Sequence, residues 1–294
     1  MANLKAIRIR ITSVKSTRQI TSAMKMVSAA KLRKAQDKIV RLRPFANKLH
    51  DILNNLSQDL AESEVENIYA RNAVPEKILI VAITSNRGLC GAFNTNVIRE
   101  AKRVITDNYF EQYKKGNVRF HAIGKKGFDY IRKQNLGIAG EFNDLLNDVT
   151  FETTSAVAEK VMKSFVDGEF DKVEIIYNRF KNAAVQQLTN EVFLPVSPTS
   201  EKGKACLPAD YIYEPDKEAI VKELMPKWLK IQFYKAVLNS FVSENGARMT
   251  AMHKATDNAT TMIRELTMQY NKARQAAITN QILEVVSGAE ALKG

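Results

Sequence analysis

From Leu4 to Leu60 the chain reads LKAIRIRITSVKSTRQITSAMKMVSAAKLRKAQDKIVRLRPFANKLHDILNNLSQDL. Stepping through it alternately by three and four residues lands on Leu4, Ile7, Ile11, Val14, Arg18, Thr21, Lys25, Ser28, Leu32, Ala35, Ile39, Leu42, Ala46, Leu49, Leu53, Leu56 and Leu60. Thirteen of these seventeen positions are apolar. A 3.5-residue repeat sustained for so long specifies a helix in a left-handed coiled coil. At ~1.5 Å per residue that helix is roughly 85 Å long. The four polar positions are consecutive, from Arg18 to Ser28, and the nearby apolar residues Ile20, Met24, Met26 and Val27 sit off register. The seam is therefore expected to break there. Pro44 removes a backbone hydrogen bond and crowds the preceding turn. A local kink is expected at that point rather than a helix end, because the repeat continues through Ala46 and Leu49.

The end of the chain answers the beginning. From Leu224 the same step reaches Trp228, Ile231, Lys235, Leu238, Val242, Asn245, Met249, Met252, Thr256, Ala259, Ile263, Leu266, Tyr270, Ala273 and Ala277, with thirteen of sixteen apolar. Asn245 and Thr256 are polar seam residues of the kind that fix register. Gly246 weakens such a helix by about 1 kcal/mol relative to alanine. Beyond Ala277 the seam ends, and Ile278, Ile282, Leu283, Val285 and Val286 crowd around the helix. An apolar circumference of this kind requires an enclosing partner.

Between the two helical ends the pattern changes. Residues 77–84 form the most apolar run and read as a buried strand. Residues 118–123, 173–178 and 186–194 read as further strands, and 92–114, 125–135 and 152–167 as helices. Alternating strand and helix predicts an α/β domain with a largely parallel sheet. Pro195, Pro198, Gly203 and Pro208 mark its exit. The expected organisation is a coiled-coil helix over 1–60, an inserted Rossmann-like α/β domain over 72–207, and a second coiled-coil helix over 208–294. The two long helices are expected to pair antiparallel.

The 294 residues carry a net charge of +12. Residues 1–50 hold thirteen basic residues and one acid, Asp37, which accounts for the whole excess. Such a segment calls for an acidic partner or a polyanion. Nucleic acid is one candidate, as a basic coiled-coil binder. Against it, Phe45 is the only aromatic among the first fifty residues, so stacking on bases would be poor. No apolar run reaches the ~18 residues that a membrane span needs, so no direct lipid insertion is expected. The two cysteines, Cys90 and Cys206, make neither a CxxC pair nor a metal set.

The stretch from Thr84 to Asn94, TSNRGLCGAFN, lies between a strand and a helix, where a phosphate loop would sit. It matches neither GxxxxGK[ST] nor GxGxxG, and a tight turn requiring glycine at Gly88 and Gly91 explains it better. His50, His121 and His253 are isolated, and Ser85 lacks a GxSxG setting. Met24, Met26, Met249, Met252, Met262 and Met268 read as packing residues. No catalytic residue, cofactor site or metal site is expected.

Three separate motifs carry a family resemblance. Ser16 to Lys34, STRQITSAMKMVSAAKLRK, resembles the N-terminal helix of ATP synthase γ subunits. The RGLCG of residues 87–91 resembles that family's loop near the neck of the shaft. The run from Glu244 to Thr279, followed by Glu284 to Ala289, resembles its C-terminal signature. The resemblance spans both ends and the middle in the right order. It implies a central rotor shaft that turns with a membrane c-ring under proton flow, binds the ε subunit, and works inside a ring of α and β subunits. It further implies that Met24, Lys25, Arg87, Cys90, Arg248, Arg274, Gln275, Thr279 and Glu284 lie at subunit interfaces. Plastid members carry an inserted segment with paired cysteines, whereas residues 201–210 here hold only Cys206, so thiol regulation is not expected. With no presequence evident, the resemblance points to the cytoplasmic face of a bacterial inner membrane.

Overall fold

A computed structural model describes residues 4–60, 68–70, 74–196 and 217–292. The expected domain limits near 72 and 207, and Cys206, lie outside these residues. The chain divides into two compact units, Met1–Ser28 with Met249–Gly294, and Ala29–Arg248. Two long helices, α1 (Leu4–Leu60) and α6 (Lys217–Ala291), contribute to both. Pro44 lies inside α1, and Pro226 inside α6.

In the first unit the two helices run antiparallel. Arg8 Nη2 donates to the Tyr270 hydroxyl at 2.6 Å, and Thr256 Oγ1 donates to Thr21 Oγ1 at 2.9 Å. One partner number rises as the other falls. On α6 the seam positions Met252, Ala259 and Leu266 are buried, while Thr256, Ile263, Tyr270, Ala273 and Ala277 are half-buried. Past Ala277 every described residue is exposed, as the lapse of the repeat predicts.

The expected break between Arg18 and Ser28 does not occur. Every seam position of α1 from Leu4 through Leu53 is buried or half-buried. Thr21 and Ser28 are buried although polar, and Arg18 and Lys25 are half-buried. The two hydroxyls donate back to their own helix, Thr21 to the Arg18 carbonyl at 3.0 Å and Ser28 to the Met24 carbonyl at 2.8 Å. A buried hydroxyl that finds a carbonyl one turn earlier avoids most of its desolvation cost. The off-register residues Ile20, Met26 and Val27 point outward and are about 60% exposed.

The second unit is built on a five-stranded sheet. Its strands are β1 (Ile78–Ile83), β2 (Val118–Ile123), β3 (Gly137–Glu141), β4 (Lys172–Phe180) and β5 (Gln186–Leu194). The spatial order is β3-β2-β1-β4-β5. All neighbours pair parallel except β4 with β5. Central β1 is buried at every position, as a parallel strand covered on both faces must be. Ile78, Ile80 and Ala82 join α2 (Phe93–Asn108) through Val97, Ala101, Val104 and Ile105, with Phe120 of β2 and Ile131 of α4 (Lys125–Lys133), in one apolar cluster. α5 (Phe151–Val166) starts with a capping box in which Thr150 Oγ1 accepts from the Thr153 N–H. α6 packs Phe233 edge-on against Phe193 of β5 and Tyr234 against Phe151.

Two elements differ from expectation. The helix expected over 92–114 breaks at Tyr109, and α3 (Phe110–Lys114) follows. Tyr109 turns its hydroxyl onto the buried Glu174, which also accepts from Asn190 and pairs with Lys172 at 3.2 Å. The edge strand β3 was not expected, and its short, exposed Gly-Ile-Ala-Gly-Glu sequence shows why. Gly140 packs tightly beside His121, where a Cβ would lie 3.1 Å from the imidazole. Burial lowers the pKa of His121 to about 4, so it packs as a neutral ring, edge-on to Phe142.

Candidate subunit interface

The nine candidate interface residues fall into two groups, one in each unit. Arg87, Cys90 and Arg248 belong to the second. Here the chain leaves β1 through Thr84 and Ser85 and turns sharply before α2. Ser85 N–H donates to Asn94 Oδ1 at 2.8 Å, and Ser85 Oγ donates to the Arg87 carbonyl at 2.7 Å. Left-handed conformations fall at Leu89 (φ 63°) and Gly91 (φ 61°). Gly88 takes no such conformation, so the expected need for glycine holds at 91 and not at 88. A leucine in the left-handed region is costly, and Leu89 is also 66% exposed.

Cys90 lies beneath this turn, 1% exposed, within 3.6 Å of Ser85 Oγ and accepting from Asn94 Nδ2 at 3.3 Å. Burial raises its pKa above the ordinary thiol value, so the thiol is protonated and unreactive. It supports the loop from below, while Arg87 and Leu89 face outward.

Arg248 fastens the loop to α6. Its Nη2 donates to the carbonyls of Arg87 at 3.0 Å and Gly88 at 3.3 Å, and its Nη1 pairs with Glu244 at 2.5 Å. Burial raises the pKa of Glu244, and Arg248, Lys31 and Arg87 oppose that rise. The i, i+4 spacing of Glu244 and Arg248 was visible in the sequence. That the arginine also holds a loop about 160 residues away was not.

This loop stands at the carboxyl end of β1, where the strand order reverses between β1 and β4. In open α/β sheets that crevice is the usual ligand site. Here the protein fills it. Asn178 Nδ2, at the end of β4, donates to the Phe93 carbonyl at 3.3 Å, and Ser243 Oγ of α6 donates to the Asn178 carbonyl at 2.9 Å. Cys90, Phe93 and Ala247 form a small apolar cluster of their own. Gly246 packs against Ala183, where a Cβ would reach 3.4 Å from the backbone.

Met24, Lys25, Arg274, Gln275, Thr279 and Glu284 belong to the first unit. Met24 and Lys25 are half-buried, and Lys25 occupies a seam position instead of facing outward at a break. Arg274, Gln275, Thr279 and Glu284 are exposed, and Thr279 Oγ1 donates to the Gln275 carbonyl at 3.0 Å. Nearby, Ile278, Ile282, Leu283, Val285 and Val286 are 47–72% exposed. Among the described residues no group of three His, Cys, Asp or Glu side chains could hold a metal ion, and no helix is long and apolar enough to cross a membrane.

These features define a coiled-coil protein with an inserted Rossmann-like domain whose usual ligand crevice is filled from within. A family profile described as ATP synthase matches residues 3–292. The ATP synthase gamma chain of Flavobacterium johnsoniae is 56% identical over 294 residues, covering all of both chains. That of Geobacter metallireducens is 43% identical over 296 residues, again covering all of both. Among solved structures, the central stalk and c-ring of the Tetrahymena thermophila mitochondrial ATP synthase contains a similar chain. It is 27% identical, has a TM-score of 0.61, and the match covers 80% of this chain and 99% of that one. A chain of the Euglena gracilis mitochondrial ATP synthase shares the fold at a TM-score of 0.67 and 24% identity, covering 98% and 94%. The chain belongs to the ATP synthase gamma chain family.

Proposed function

We propose that the chain is the central rotor shaft of an F-type ATP synthase and has no active site of its own. It couples proton flow through the membrane c-ring to the conformational cycle of catalytic β subunits held in a ring with α subunits. The ε subunit and the c-ring are its other partners. It sits as a peripheral subunit on the cytoplasmic face of a bacterial inner membrane, in keeping with relatives such as that of Flavobacterium johnsoniae. The observation that carries this reading is the antiparallel helix pair of the first unit. It is closed internally by a regular seam and carries apolar side chains on its outer faces, Ile20, Met26 and Val27 on α1 and Ile278 to Val286 on α6.

A shaft acts by stabilising different conformations of its neighbours at different angles, which is a population shift driven by a moving ligand. Exposed ion pairs contribute only about 0–1 kcal/mol each. The basic α1 can therefore make many such contacts with acidic partner loops and leave each one easily. Met24, Lys25, Arg248, Arg274, Gln275, Thr279 and Glu284 are the proposed meeting points with the ring. Arg87 is proposed at the neck, with Cys90 supporting it from beneath. The filled crevice beside β1 supports a non-catalytic role. A nucleic-acid binder finds no support among the relatives.

The test is reconstitution with α and β subunits of a close relative and a bead attached at exposed Lys114. ATP should drive stepwise rotation of the bead. Hydrolysis by the complex with a stationary bead would overturn the shaft reading. Stoichiometric ATP binding by the pure chain in calorimetry would overturn the absence of a nucleotide site.

A further inference from the structure

Lys31, Lys34 and Lys38 recur at i, i+3 and i+7, so they share one face of α1. With Ala35 they form one wall of a pocket of about 150 Å3 in the second unit. Asn147, Asp148 and Val149, just before the Thr150 cap of α5, form the opposite wall, and Leu238 and Phe241 of α6 complete it. Lys38 is held in place, since its Nζ donates to the Val149 carbonyl at 3.0 Å. Among the described residues Asp148 is the only carboxylate in the lining, although Lys31 also attracts the buried Glu244. That space admits several waters, or a tetrahedral oxyanion with part of its hydration shell.

We propose that this pocket binds a phosphate-class dianion, for which inorganic phosphate is the simplest form. Three lysines and one aspartate leave two positive charges in the lining. That balance matches a phosphate monoester above its second pKa of about 6, and inorganic phosphate, whose second ionisation is higher, in mildly alkaline solution. Lysine ammonium groups bind phosphate as mobile point charges, and the Asn147 amide adds donors at the rim. The bound anion bridges α1, the entry to α5 and α6, three segments that are far apart in sequence. The site is independent of the shaft reading, since it needs only the fold of the second unit.

The experiment uses the full chain at fixed ionic strength, with inorganic phosphate as the probe, followed by 31P line broadening and by thermal shift. Saturable binding is expected. Two unit charges 4 Å apart in water interact by about 1 kcal/mol; the dianion doubles this and salt at physiological ionic strength roughly halves it, leaving about 1 kcal/mol, about fivefold in affinity. Lys34→Gln should weaken binding about fivefold and Lys34→Arg should preserve it. Asp148→Asn should tighten it about fivefold, and Lys114→Gln, outside the pocket, should change nothing. Lys34 and Asp148 are exposed, so these variants should fold, and circular dichroism checks that they do. Non-saturable binding, or equal affinity in Lys34→Gln, Asp148→Asn and Lys114→Gln, would overturn the proposal. Binding of a glutamate-rich peptide at the same lysines, with phosphate unable to displace it, would also overturn it and make the pocket a protein-docking site.

Discussion

Replacing Arg248 with methionine leaves the buried Glu244 carboxylate without its main partner. Both side chains of this pair are about nine-tenths buried, so solvent screens their interaction little. Removing one member of a buried pair costs about 3–5 kcal/mol. A limit on that cost follows from proton uptake. Holding a carboxyl of ordinary pKa 4.5 protonated at pH 7 costs about 2.5 pH units at 1.36 kcal/mol each, or about 3.4 kcal/mol. Arg248 also loses its hydrogen bonds to the Arg87 and Gly88 carbonyls. Those carbonyls are partly hydrated once freed, so we assign about 1 kcal/mol to each bond. Arg248→Met should therefore destabilise the chain by about 5 kcal/mol at pH 7, and adding Glu244→Gln should recover about 3 of it, leaving the loss of the two loop bonds.

The pH dependence is a second check. Burial raises the folded-state pKa of Glu244 above 4.5, so the folded chain takes up this proton before the unfolded chain does. Its contribution to stability is greatest at low pH and is lost as pH rises from 4.5 through the folded value. Without Arg248 the folded value rises further. At pH 5 the protonation cost is about 0.7 kcal/mol, so the deficit of Arg248→Met should shrink by up to about 2.7 kcal/mol relative to pH 7. Urea unfolding at both pH values measures this. Trypsin cleavage after Arg87 reports the loop separately, because losing about 2 kcal/mol of loop restraint corresponds to about 30-fold faster cutting. If the double variant is no more stable than Arg248→Met and the cleavage rate is unchanged, Arg248 neither neutralises Glu244 nor holds the loop.

Thr21→Val and Thr256→Val should each cost about 1 kcal/mol or less, since the threonine hydroxyl that remains keeps its bond to its own helix, at Arg18 for Thr21 and at Met252 for Thr256. The double variant should be at least as stable as the wild type, because two methyl groups then enter the seam. A double-mutant cycle by thermal unfolding that leaves the pair less stable than the sum of its singles would contradict this. Lys25→Glu should reduce ATP-driven proton pumping more than Lys15→Glu, which reverses an exposed charge. Lys25 sits half-buried in the seam, so unfolding must be measured alongside, and equal pumping by both variants would argue against a specific contact. Deleting residues 285–294 should weaken assembly and lower torque without stopping rotation. Gln275→Leu and Thr279→Val, both exposed in the free chain, should leave its stability unchanged yet impair coupling in the complex. Abolished rotation in the truncation, with both point variants silent, would make the tip the drive point and not a bearing.

The long helices were legible because a 3.5-residue apolar period survives any detail of packing. Thr21 and Ser28 interrupt the apolar pattern yet are buried, because apolar character is only a proxy for burial. Geometry keeps the period regardless, and a hydroxyl bonded to its own helix can occupy a seam position at little cost. The parallel strands were legible as continuous apolar runs, whereas β3 was not, since an exposed edge strand carries neither alternation nor apolar density. Among the candidate interface residues, the i, i+4 pair of Glu244 and Arg248 lay in plain view. The burial of Cys90 and the left-handed turn at Leu89 depend on how α6 returns across β1 and β4, and no local pattern encodes that return.

The filled crevice and the polar seam answer two different mechanical requirements of the proposed shaft. A domain that must transmit force gains nothing from an open cleft at its topological switch point, where ligand entry would couple its shape to solution chemistry. Ser243, Asn178 and Phe93 close that cleft with hydrogen bonds from three elements, and Arg248 ties the overlying loop to the same helix. The first unit meets the opposite demand. On the proposed shaft reading its outer face slides past neighbours, which suits the outward placement of the large apolar groups Ile20, Met26 and Val27 and the burial of the small residues Thr21 and Ser28 in the seam. Moving Met26 or Val27 inward would strengthen the helix pair through added apolar burial. It would also remove the non-directional contacts that a sliding surface uses. Register is then fixed by the Thr21–Thr256 hydrogen bond and by Arg8 on Tyr270, leaving the bulk of the apolar surface free for partners.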